Sequence, residues 1–463
     1  MITHFTDIRI TDLARWIGAK VIGPVPETFR YMESDTRNMT RGSGGIYIAI
    51  KGKNHDGHDF VTNALKAGAV AAIVSSEWAE SHAEDSLPLL VLDGNVWKKL
   101  SEAVQRWHDS TSARVISVTG SAGKTTVREL LTSALSAGNL NIHETDGNFN
   151  GGYDTLLTVL QTPPEARYSV IELGIRFPGA MDRRASVLRP DIGIITSIGT
   201  AHLGNFGSRE RLAEEKIRML EHLSGKPGSF AVVSRDENFI DMMRQRSKAP
   251  LVEVSLRDES APYFGRVLDV STATMDVVEK ASGMVTKVSL GRPGLHLCSN
   301  ALLAFACARE LGVEPKRCAW GISEFTVPGE RWKTIVRDGV SFIDDSYNSN
   351  PAAAQAVLDA FSLLPGHKIA VLGDMLELGP YGEELHREVG AHAAKAAIDA
   401  FVSVGPLSLH LADEIDAARP DQKVIRTLDA QEAKTALAEI LQKGDTVLLK
   451  GSNGMHLSSI LEG

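Results

Sequence analysis

The sequence predicts an α/β protein of three domains, and three observations support this fold class. The chain has 463 residues, and a typical domain takes about 150. Short apolar segments that resemble buried strands alternate with helical segments, which is typical of parallel sheets covered by helices. One such strand runs directly into a glycine-bearing turn and a helix, at residues 118–126. We expect domains at about residues 1–110, 111–327 and 328–463.

The first domain has the predicted elements of a small α/β unit. Its predicted strands are residues 46–50 and 69–74, and its predicted helices are residues 11–18, 60–67 and 100–108. Thr11 would cap the first helix and Gly18 would end it. The strands are recognised by their β-branched or continuously apolar residues.

The sequence predicts one further sheet in the second domain and another in the third. In the second, the predicted strands are residues 114–119, 168–173 and 191–198, the predicted helices are residues 127–135 and 300–311, and residues 226–297 have a more β-like pattern. In the third, the predicted strands are residues 340–343, 368–372, 400–404 and 446–449. Helical segments separate these strands, which predicts a doubly wound sheet. We place a hinge at Pro328-Gly329.

Composition limits the classes of protein that the chain can belong to. Lys and Arg number 49 and Asp and Glu 58, a formal charge of −9, which argues against a nucleic-acid partner because neutralising its backbone takes a surplus of basic residues. The cysteines (Cys298, Cys307 and Cys318) have no metal or redox spacing, which favours a reducing compartment. No apolar run is long enough for a membrane span, and the mixed charges of the first residues do not fit a signal peptide. We expect a cytoplasmic protein with no membrane partner.

The sharpest local signal is the turn between the strand at 114–119 and the helix at 127–135. It consists of Gly120, Ser121, Ala122, Gly123, Lys124, Thr125 and Thr126. Backbone N–H groups in such a turn, the N-terminus of the helix and the lysine all attract phosphate, and the hydroxyl after the lysine can bind Mg²⁺. The alternative is an ordinary glycine-rich turn with an exposed lysine. We predict nucleotide binding, which leaves kinases, motors, switches and ligases open.

Two polar residues follow predicted strands of the same domain. Glu172 ends one strand and His202 comes shortly after another. Ligands in open α/β sheets bind at the carboxyl ends of strands, so the two side chains could gather round the Mg²⁺ of the nucleotide. Taken singly, a glutamate or a histidine at the end of a strand more often has a structural role than a functional one.

Segments spread along the whole chain match one family. They are residues 34–37 and 52–60, then the phosphate loop, residues 172–174, 199–202 and 299–301, and finally residues 344–351, 372–379 and 450–452. Together they resemble the Mur ligases, the ATP-dependent amide-bond-forming enzymes of peptidoglycan precursor synthesis. Residues 344–351 and 372–379 are the most specific and imply a member that adds D-alanyl-D-alanine.

The resemblance implies a central P-loop parallel-sheet ATPase domain between an N-terminal α/β uridine-nucleotide domain and a C-terminal Rossmann-like domain. It implies that the phosphate loop binds ATP, with Lys124 on its phosphates, and that Asn300 contacts the adenine, Arg331 the phosphates and Asp345 the ribose. The implied Mg²⁺ ligands are Thr125, Glu172, His202 and Lys216, the last as a carbamate. By composition alone Lys216 would be a surface lysine on an acidic helix. The implied catalytic residues are Lys124, Glu172, His202 and Lys216, and the implied substrate residues are Ser34, Asp35, Thr36, Asn148, Asn150, Asn348 and Asn350.

The implied reaction joins the tripeptide carboxylate of UDP-N-acetylmuramoyl-tripeptide to the amine of D-alanyl-D-alanine through an acyl phosphate, and we expect a monomer. Two segments depart from the family pattern near the donor, residues 151–156 and 175–178. The open alternatives are a Mur-type ligase that adds a single amino acid or uses another donor carboxylate, and a non-catalytic P-loop regulator.

Three other groups of polar residues receive a structural interpretation. We interpret residues 55–59 as a loop of the uridine unit rather than a metal cluster, and Asp374 and Glu377 as loop residues of the third domain that could contact the dipeptide. Residues 383–387 are expected to form a solvated helix.

Overall fold

In the part of the chain that the structure describes, three large β-sheets with helices packed on them and one small two-stranded sheet form the protein, which confirms the predicted α/β class. The computed structural model describes residues 8–41, 44–52, 55–83, 86–145, 147, 150–325 and 332–462. The predicted hinge at Pro328-Gly329 and the predicted site residues Asn148 and Arg331 lie outside them. By packing, the chain divides into two compact units, one of residues 1–117, 140–173 and 183–191 and the other of residues 118–139, 174–182 and 192–463. The domain boundaries at 110 and 327 remain a prediction.

The N-terminal sheet has five strands in the order β2-β7-β6-β5-β4, with β2 antiparallel and the others parallel. The strands of this region are β1 (Ile8–Arg9), β2 (Lys20–Ile22), β3 (Thr28–Phe29), β4 (Tyr31–Glu33), β5 (Gly45–Ile48), β6 (Ala69–Ser75) and β7 (Leu89–Leu92). Its helices are α1 (Ile10–Ile17), α2 (Val61–Lys66), α3 (Ser76–Ser81) and α4 (Val96–Ser110). Gly18 ends α1 in the left-handed conformation, as predicted, but Thr11 lies inside α1 and does not cap it.

The central sheet has nine strands in the order β16-β15-β14-β13-β12-β11-β8-β10-β9. They are β8 (Arg114–Thr119), β9 (Ile142–Glu144), β10 (Tyr168–Glu172), β11 (Ile192–Ile195), β12 (Phe230–Ser234), β13 (Leu251–Ser255), β14 (Tyr263–Asp269), β15 (Thr274–Glu279) and β16 (Met284–Ser289). The helices are α5 (Lys124–Ala137), α6 (Gly152–Leu160), α7 (Ala180–Leu188), α8 (Leu203–Phe206), α9 (Arg209–Glu221), α10 (Ile240–Arg246), α11 (Leu295–Glu310) and α12 (Pro315–Ser323). From β11 to β14 the pairing is parallel, and β14, β15 and β16 form an antiparallel meander.

The C-terminal sheet has six strands in the order β17-β18-β22-β19-β20-β21, all parallel except β17. They are β17 (Lys333–Arg337), β18 (Val340–Asp344), β19 (Lys368–Gly373), β20 (Ala400–Val404), β21 (Lys423–Thr427) and β22 (Thr446–Lys450). Its helices are α13 (Pro351–Ser362), α14 (Gly382–Ala393), α15 (Ser408–Ala418) and α16 (Ala430–Ile440). Alternate residues of β19 enter separate hydrophobic clusters, Ala370 and Leu372 one and Ile369 and Val371 the other, because successive side chains of a strand point to opposite faces. Both faces of the sheet are therefore covered, as a doubly wound fold requires.

Most differences from prediction concern edges and ends, although the buried interior strand β7 was also not predicted. The four interior strands predicted for the third domain are present, but the edge strands β17 and β21 were not predicted. Most of their residues are exposed or half-buried, so neither has the apolar pattern of a buried strand. Strand β11 is shorter than predicted, because the chain leaves the sheet after Ile195 to form the loop that carries the next site residues.

Candidate functional site

The phosphate loop joins the end of β8 to the start of α5, and its glycines have conformations and contacts that exclude larger residues. Gly120 has a φ of +155°, and a Cβ there would lie 1.9 Å from Oγ1 of Thr196. Gly123 has a φ of +80°, and a Cβ there would lie 2.6 Å from Oδ1 of Asn300. Glycine is required at both positions because the backbone is left-handed or crowded.

Two hydroxyl residues after β11 hold the loop in shape. Ser121 N donates to Ser197 O at 2.8 Å, Ala122 N donates to Ser197 Oγ at 3.2 Å, and Thr196 Oγ1 donates to Ala122 O. Gly199 N donates to Ser121 Oγ at 2.9 Å. We did not assign a role to Thr196 and Ser197 from the sequence, although their position directly after a buried strand was a usable signal.

Two lysines converge on a single backbone oxygen of this loop. Nζ of Lys124 and Nζ of Lys216 each donate to the carbonyl oxygen of Gly120 at 3.1 Å. Lys216 lies in α9 and is 2% exposed, which excludes the surface lysine that composition alone would suggest. Burial, with a smaller contribution from the charge of Lys124, holds the pKa of Lys216 well below its usual range. A lysine in this setting is stabilised as the neutral, nucleophilic amine.

His202 lies close to both lysines. Burial, and to a smaller extent the charges of Lys124 and Lys216, lower the pKa of its imidazole, while Glu377 acts in the opposite direction. Nδ1 of His202 and Oε2 of Glu377 form a hydrogen bond. The structure therefore brings together three of the predicted catalytic residues, and it adds Glu377, which we had interpreted as a loop residue.

Glu172 is placed at the end of β10, where the sequence predicted it. Its side chain is buried, and its carboxylate accepts a hydrogen bond from Nδ2 of Asn150 at 2.7 Å. Its backbone N donates to Oγ1 of Thr145 at 3.0 Å. Asn150, predicted as a substrate residue, therefore contacts a predicted metal ligand.

The other predicted nucleotide residues take different positions. Thr125 is buried in the first turn of α5, and Asn300 in α11 lies against the phosphate loop at Gly123. The carboxylate of Asp345 lies 3.1 Å from Nζ of Lys450 and accepts a hydrogen bond from the backbone N of Trp332. Lys450 is buried, and although the segment 450–452 was singled out, we did not predict this ion pair.

The predicted uridine segment is organised by a neighbouring carboxylate. Oε1 of Glu33 accepts hydrogen bonds from the backbone N of Ser34 and of Asp35, at 2.8 and 3.0 Å. The guanidinium of Arg37 hydrogen-bonds the carboxylate of Asp35 and lowers its pKa. Thr36 begins a 3₁₀ turn, Thr36–Arg41. All three predicted residues of this segment are half-buried.

The two segments that depart from the family pattern differ in exposure, since residues 151–156 are half-buried or buried and residues 176–178 are exposed. In residues 151–156, burial and, secondarily, the charge of Glu33 raise the pKa of Asp154 to about 6, so this segment lies beside the predicted uridine segment. In residues 175–178, Ile175 is buried but Phe177 is 63% exposed.

Several side chains of the third domain serve its own fold. Oδ1 of Asn350 caps α13 by accepting from Ala353 N at 3.0 Å, while Asn348 is exposed. Asp374 is buried and accepts from N and Oγ of Ser408 at 2.7 and 2.8 Å. The expected solvated helix at 383–387 is only partly solvated, because His386 is fully buried and its Nε2 accepts from Met375 N at 2.9 Å.

The described residues lack both a ready-made metal cluster and a helix suited to a membrane. Within that part of the chain, no three His, Cys, Asp or Glu side chains are close enough to hold a metal ion. Both ring nitrogens of His58 make hydrogen bonds, Nδ1 with Asp56 and Nε2 with the backbone N of Ser75. The same residues contain no helix with the length and apolar character needed to cross a bilayer.

Comparison with known proteins assigns the whole chain to one family. The family models described as Mur ligase family, catalytic domain, as Mur ligase middle domain and as Mur ligase, glutamate ligase domain match residues 28–106, 118–308 and 330–453. The UDP-N-acetylmuramoyl-tripeptide–D-alanyl-D-alanine ligase of Bacillus subtilis (strain 168) is 31% identical over 93% of this chain and 92% of its own. That of Escherichia coli (strain K12) is 29% identical over 94% and 93%.

Solved structures give the same result. MurF from Acinetobacter baumannii has a TM-score of 0.84 at 26% identity and covers 99% of both chains. MurF ligase from Thermotoga maritima, solved in complex with ADP, has a TM-score of 0.75 at 25% identity over 93% of this chain and 96% of its own. Because the three family models together match most of the chain, and a relative that is 31% identical covers 93% of it, this chain belongs to the Mur ligase family.

Proposed function

We propose that this protein is an ATP-dependent ligase that joins D-alanyl-D-alanine to the tripeptide of UDP-N-acetylmuramoyl-tripeptide, acting in the cytoplasm as a monomer. The names of its relatives support these substrates. The observation that carries the proposal is the convergence of Lys124 and Lys216 on the Gly120 carbonyl, beside His202. A switch or a regulator needs the phosphate loop but gains nothing from a second buried lysine.

The residue types at the site fit Mg²⁺ only in part. The hydroxyl of Thr125 and the carboxylate of Glu172 are the oxygen donors that Mg²⁺ prefers, and His202 offers an imidazole nitrogen. Lys216 as an amine is not a ligand of this kind. Thr125, Glu172 and His202 would hold Mg²⁺, which would supply charge neutralisation where several anions meet.

We propose further that Lys216 acts as a carbamate. The neutral amine is the form that adds CO₂, and burial stabilises that form here. The N–C bond forms at Nζ, one proton leaves the nitrogen, and the neutral amine becomes an anionic oxygen donor. This conversion would supply the oxygen ligand that the described side chains lack.

The remaining residues bind and align the substrates. Lys124 and the backbone N–H groups of the phosphate loop bind the phosphates of ATP. The donor carboxylate attacks the γ-phosphorus and ADP leaves. The amine of the dipeptide then attacks the carbonyl carbon of the acyl phosphate, phosphate leaves, and the nitrogen loses its proton. Lys124 and the fixed N–H groups of the loop favour this chemistry because charge accumulates at the transferred phosphoryl group.

Phosphate release from ATP tests the proposal. The purified protein is expected to release phosphate only when the UDP-linked tripeptide and D-alanyl-D-alanine are both present, and mass spectrometry should detect the ligated product. A panel of amine acceptors and donor carboxylates separates this activity from that of a ligase for single amino acids. Nucleotide binding without any amide product, or phosphate release with glutamate and a folate instead, would overturn the proposal.

A further inference from the structure

The short helix α8 packs against the loop that follows β19. Leu203 is 6% exposed and belongs to the same hydrophobic cluster as Met375 and Leu378. The two backbones touch at Gly204 and Gly379, where a Cβ on Gly204 would lie 2.6 Å from Gly379 N. We call this contact, made by residues 202–207 and 375–381, the α8 joint.

Backbone hydrogen bonds and glycines fix the α8 joint. Gly204 N donates to the carbonyl oxygen of Glu377 at 3.3 Å, and the hydroxyl of Tyr381 donates to the carbonyl oxygen of Gly207 at 2.7 Å. Since both backbones approach without side chains between them, the position of Glu377 relative to His202 is defined by main-chain contacts and not by flexible side chains alone.

His202 and Glu377 face each other across the joint in the same unusual conformation. Each has a φ of +64°, a left-handed backbone that costs a residue with a Cβ about 1 kcal/mol. Such conformations persist where surrounding contacts impose them. Here they bring Nδ1 of His202 to the carboxylate of Glu377.

The chemistry of this hydrogen bond fixes the tautomer of the histidine. An ionised carboxylate can only accept hydrogen bonds, so Nδ1 must carry the proton. In the neutral imidazole, Nε2 then has a free electron pair and can bind a cation. Metal-binding histidines in proteins are held in this way by a carboxylate on the other ring nitrogen.

We propose that Glu377 is a positioning residue that holds His202 so that Nε2 is presented to the metal ion of the site. The loop after β19 thereby orients a metal ligand, His202, that lies in the loop after β11. This inference rests on the proposed function, because it takes His202 to be a metal ligand.

A purely structural role for Glu377 would have a small effect. Its side chain is 45% exposed, and even a charged pair at such a position contributes only about 0.2–1 kcal/mol to stability. Removing a carboxylate that orients a metal-bound histidine lowers metal affinity about 10- to 100-fold. Metal affinity therefore distinguishes the two roles better than stability does.

The experiment measures binding of Mn²⁺ to the full chain, with a non-hydrolysable ATP analogue present and no turnover. Electron paramagnetic resonance gives the affinity and, in pulsed form, the hyperfine coupling from a directly bound imidazole nitrogen. His202→Ala identifies that coupling by its loss. We expect Glu377→Ala to bind this Mn²⁺ about 10- to 100-fold more weakly and to lose most of the coupling.

Two further variants keep the test specific. In Glu377→Gln the amide oxygen can still accept from Nδ1, so most of the affinity and the coupling should remain. Glu388→Ala removes an exposed glutamate of α14 and should match the wild type.

Three results would overturn the inference: wild-type affinity in Glu377→Ala, tighter binding in that variant because Glu377 competes with the metal, or equal losses in Glu377→Ala and Glu377→Gln. Failure of the wild type to bind Mn²⁺ would contradict the proposed metal site instead. The two failures are therefore distinguishable.

Discussion

At the scale of single residues, the carbonyl oxygen of Gly120 is the meeting point of the site. Lys124 and Lys216 both donate to this oxygen, and the pKa of Lys216 is lowered mainly by burial and, to a smaller extent, by the charge of Lys124. Lys124 is positioned by the first turn of α5, whereas Lys216 reaches the same oxygen from α9. Their proposed roles differ accordingly: Lys124 binds phosphate at the loop, and the buried Lys216 is available for modification.

Replacement of Lys216 tests this division of roles. Lys216→Ala should lower ligase turnover at least about 100-fold, as removal of one group that stabilises transition-state charge does, because the metal-binding carbamate can no longer form. Formate or acetate should restore part of the rate by supplying a carboxylate in the vacated space. The measurement is the rate of amide formation.

The matched control is Lys316→Ala, which removes an exposed lysine of α12 and should leave turnover unchanged. Full turnover in Lys216→Ala would contradict the carbamate proposal. A loss that neither acid reverses would leave Lys216 with a structural role only.

At the scale of elements, the start of α13 shows how one side chain can cap a helix with its oxygen while its amide NH₂ remains a candidate for substrate binding. The side-chain oxygen of Asn350 accepts from Ala353 N and so satisfies a backbone donor that the helix leaves unpaired. Its amide NH₂ is chemically separate from that bond and is the part that the predicted substrate role would use.

Two substitutions separate the functions of Asn350. Asn350→Ala should lower stability by about 1 kcal/mol because the cap is lost, whereas Asn350→Asp keeps an accepting oxygen and should remain near wild-type stability. Chemical denaturation measures both effects. If Asn350→Asp retains stability but has a raised KM for the dipeptide, the amide contacts substrate; unchanged kinetics in that variant would assign Asn350 to the helix alone.

At the scale of the whole molecule, buried histidines link stability to pH. Burial lowers the pKa of His386, of His202 and of His296. Below about pH 6.5 the unfolded chain takes up protons on these residues, while the folded chain does not until the pH reaches the lowered values. The unfolded state then binds more protons, so stability is fully present above about pH 6.5 and decreases as the pH falls.

This linkage predicts a lower melting temperature at about pH 5.5 than at about pH 7.5. His386→Gln should make that decrease smaller, because glutamine can accept from Met375 N without titrating, and each proton contributes about 1.4 kcal/mol per pH unit. Thermal scans of both proteins across this range provide the measurement, and the comparison uses the slope rather than the absolute melting temperature. Parallel curves for the two proteins would exclude His386 as a source of the dependence.

Much of this protein was determined by local sequence. The fold class follows from alternating strand and helix patterns, since hydrophobic periodicity is a local property. The phosphate loop follows from the order of its residues, because glycines at 120 and 123 and the lysine at 124 act through their own backbone and charge. Edge strands such as β17 were not predicted because exposure removes the apolar pattern on which the prediction depends.

Only the tertiary structure decided which distant residues meet. The burial of Lys216 depends on the packing of α9 against the phosphate loop, and an acidic helix gives no sign of it. The partnership of His202 with Glu377 joins residues 175 positions apart, in two left-handed turns that come together only when α8 packs against the loop after β19. Sequence patterns specify which groups are present and how each element folds, but the pKa and the ligand geometry of a side chain depend on its neighbours in space, and these are set by packing.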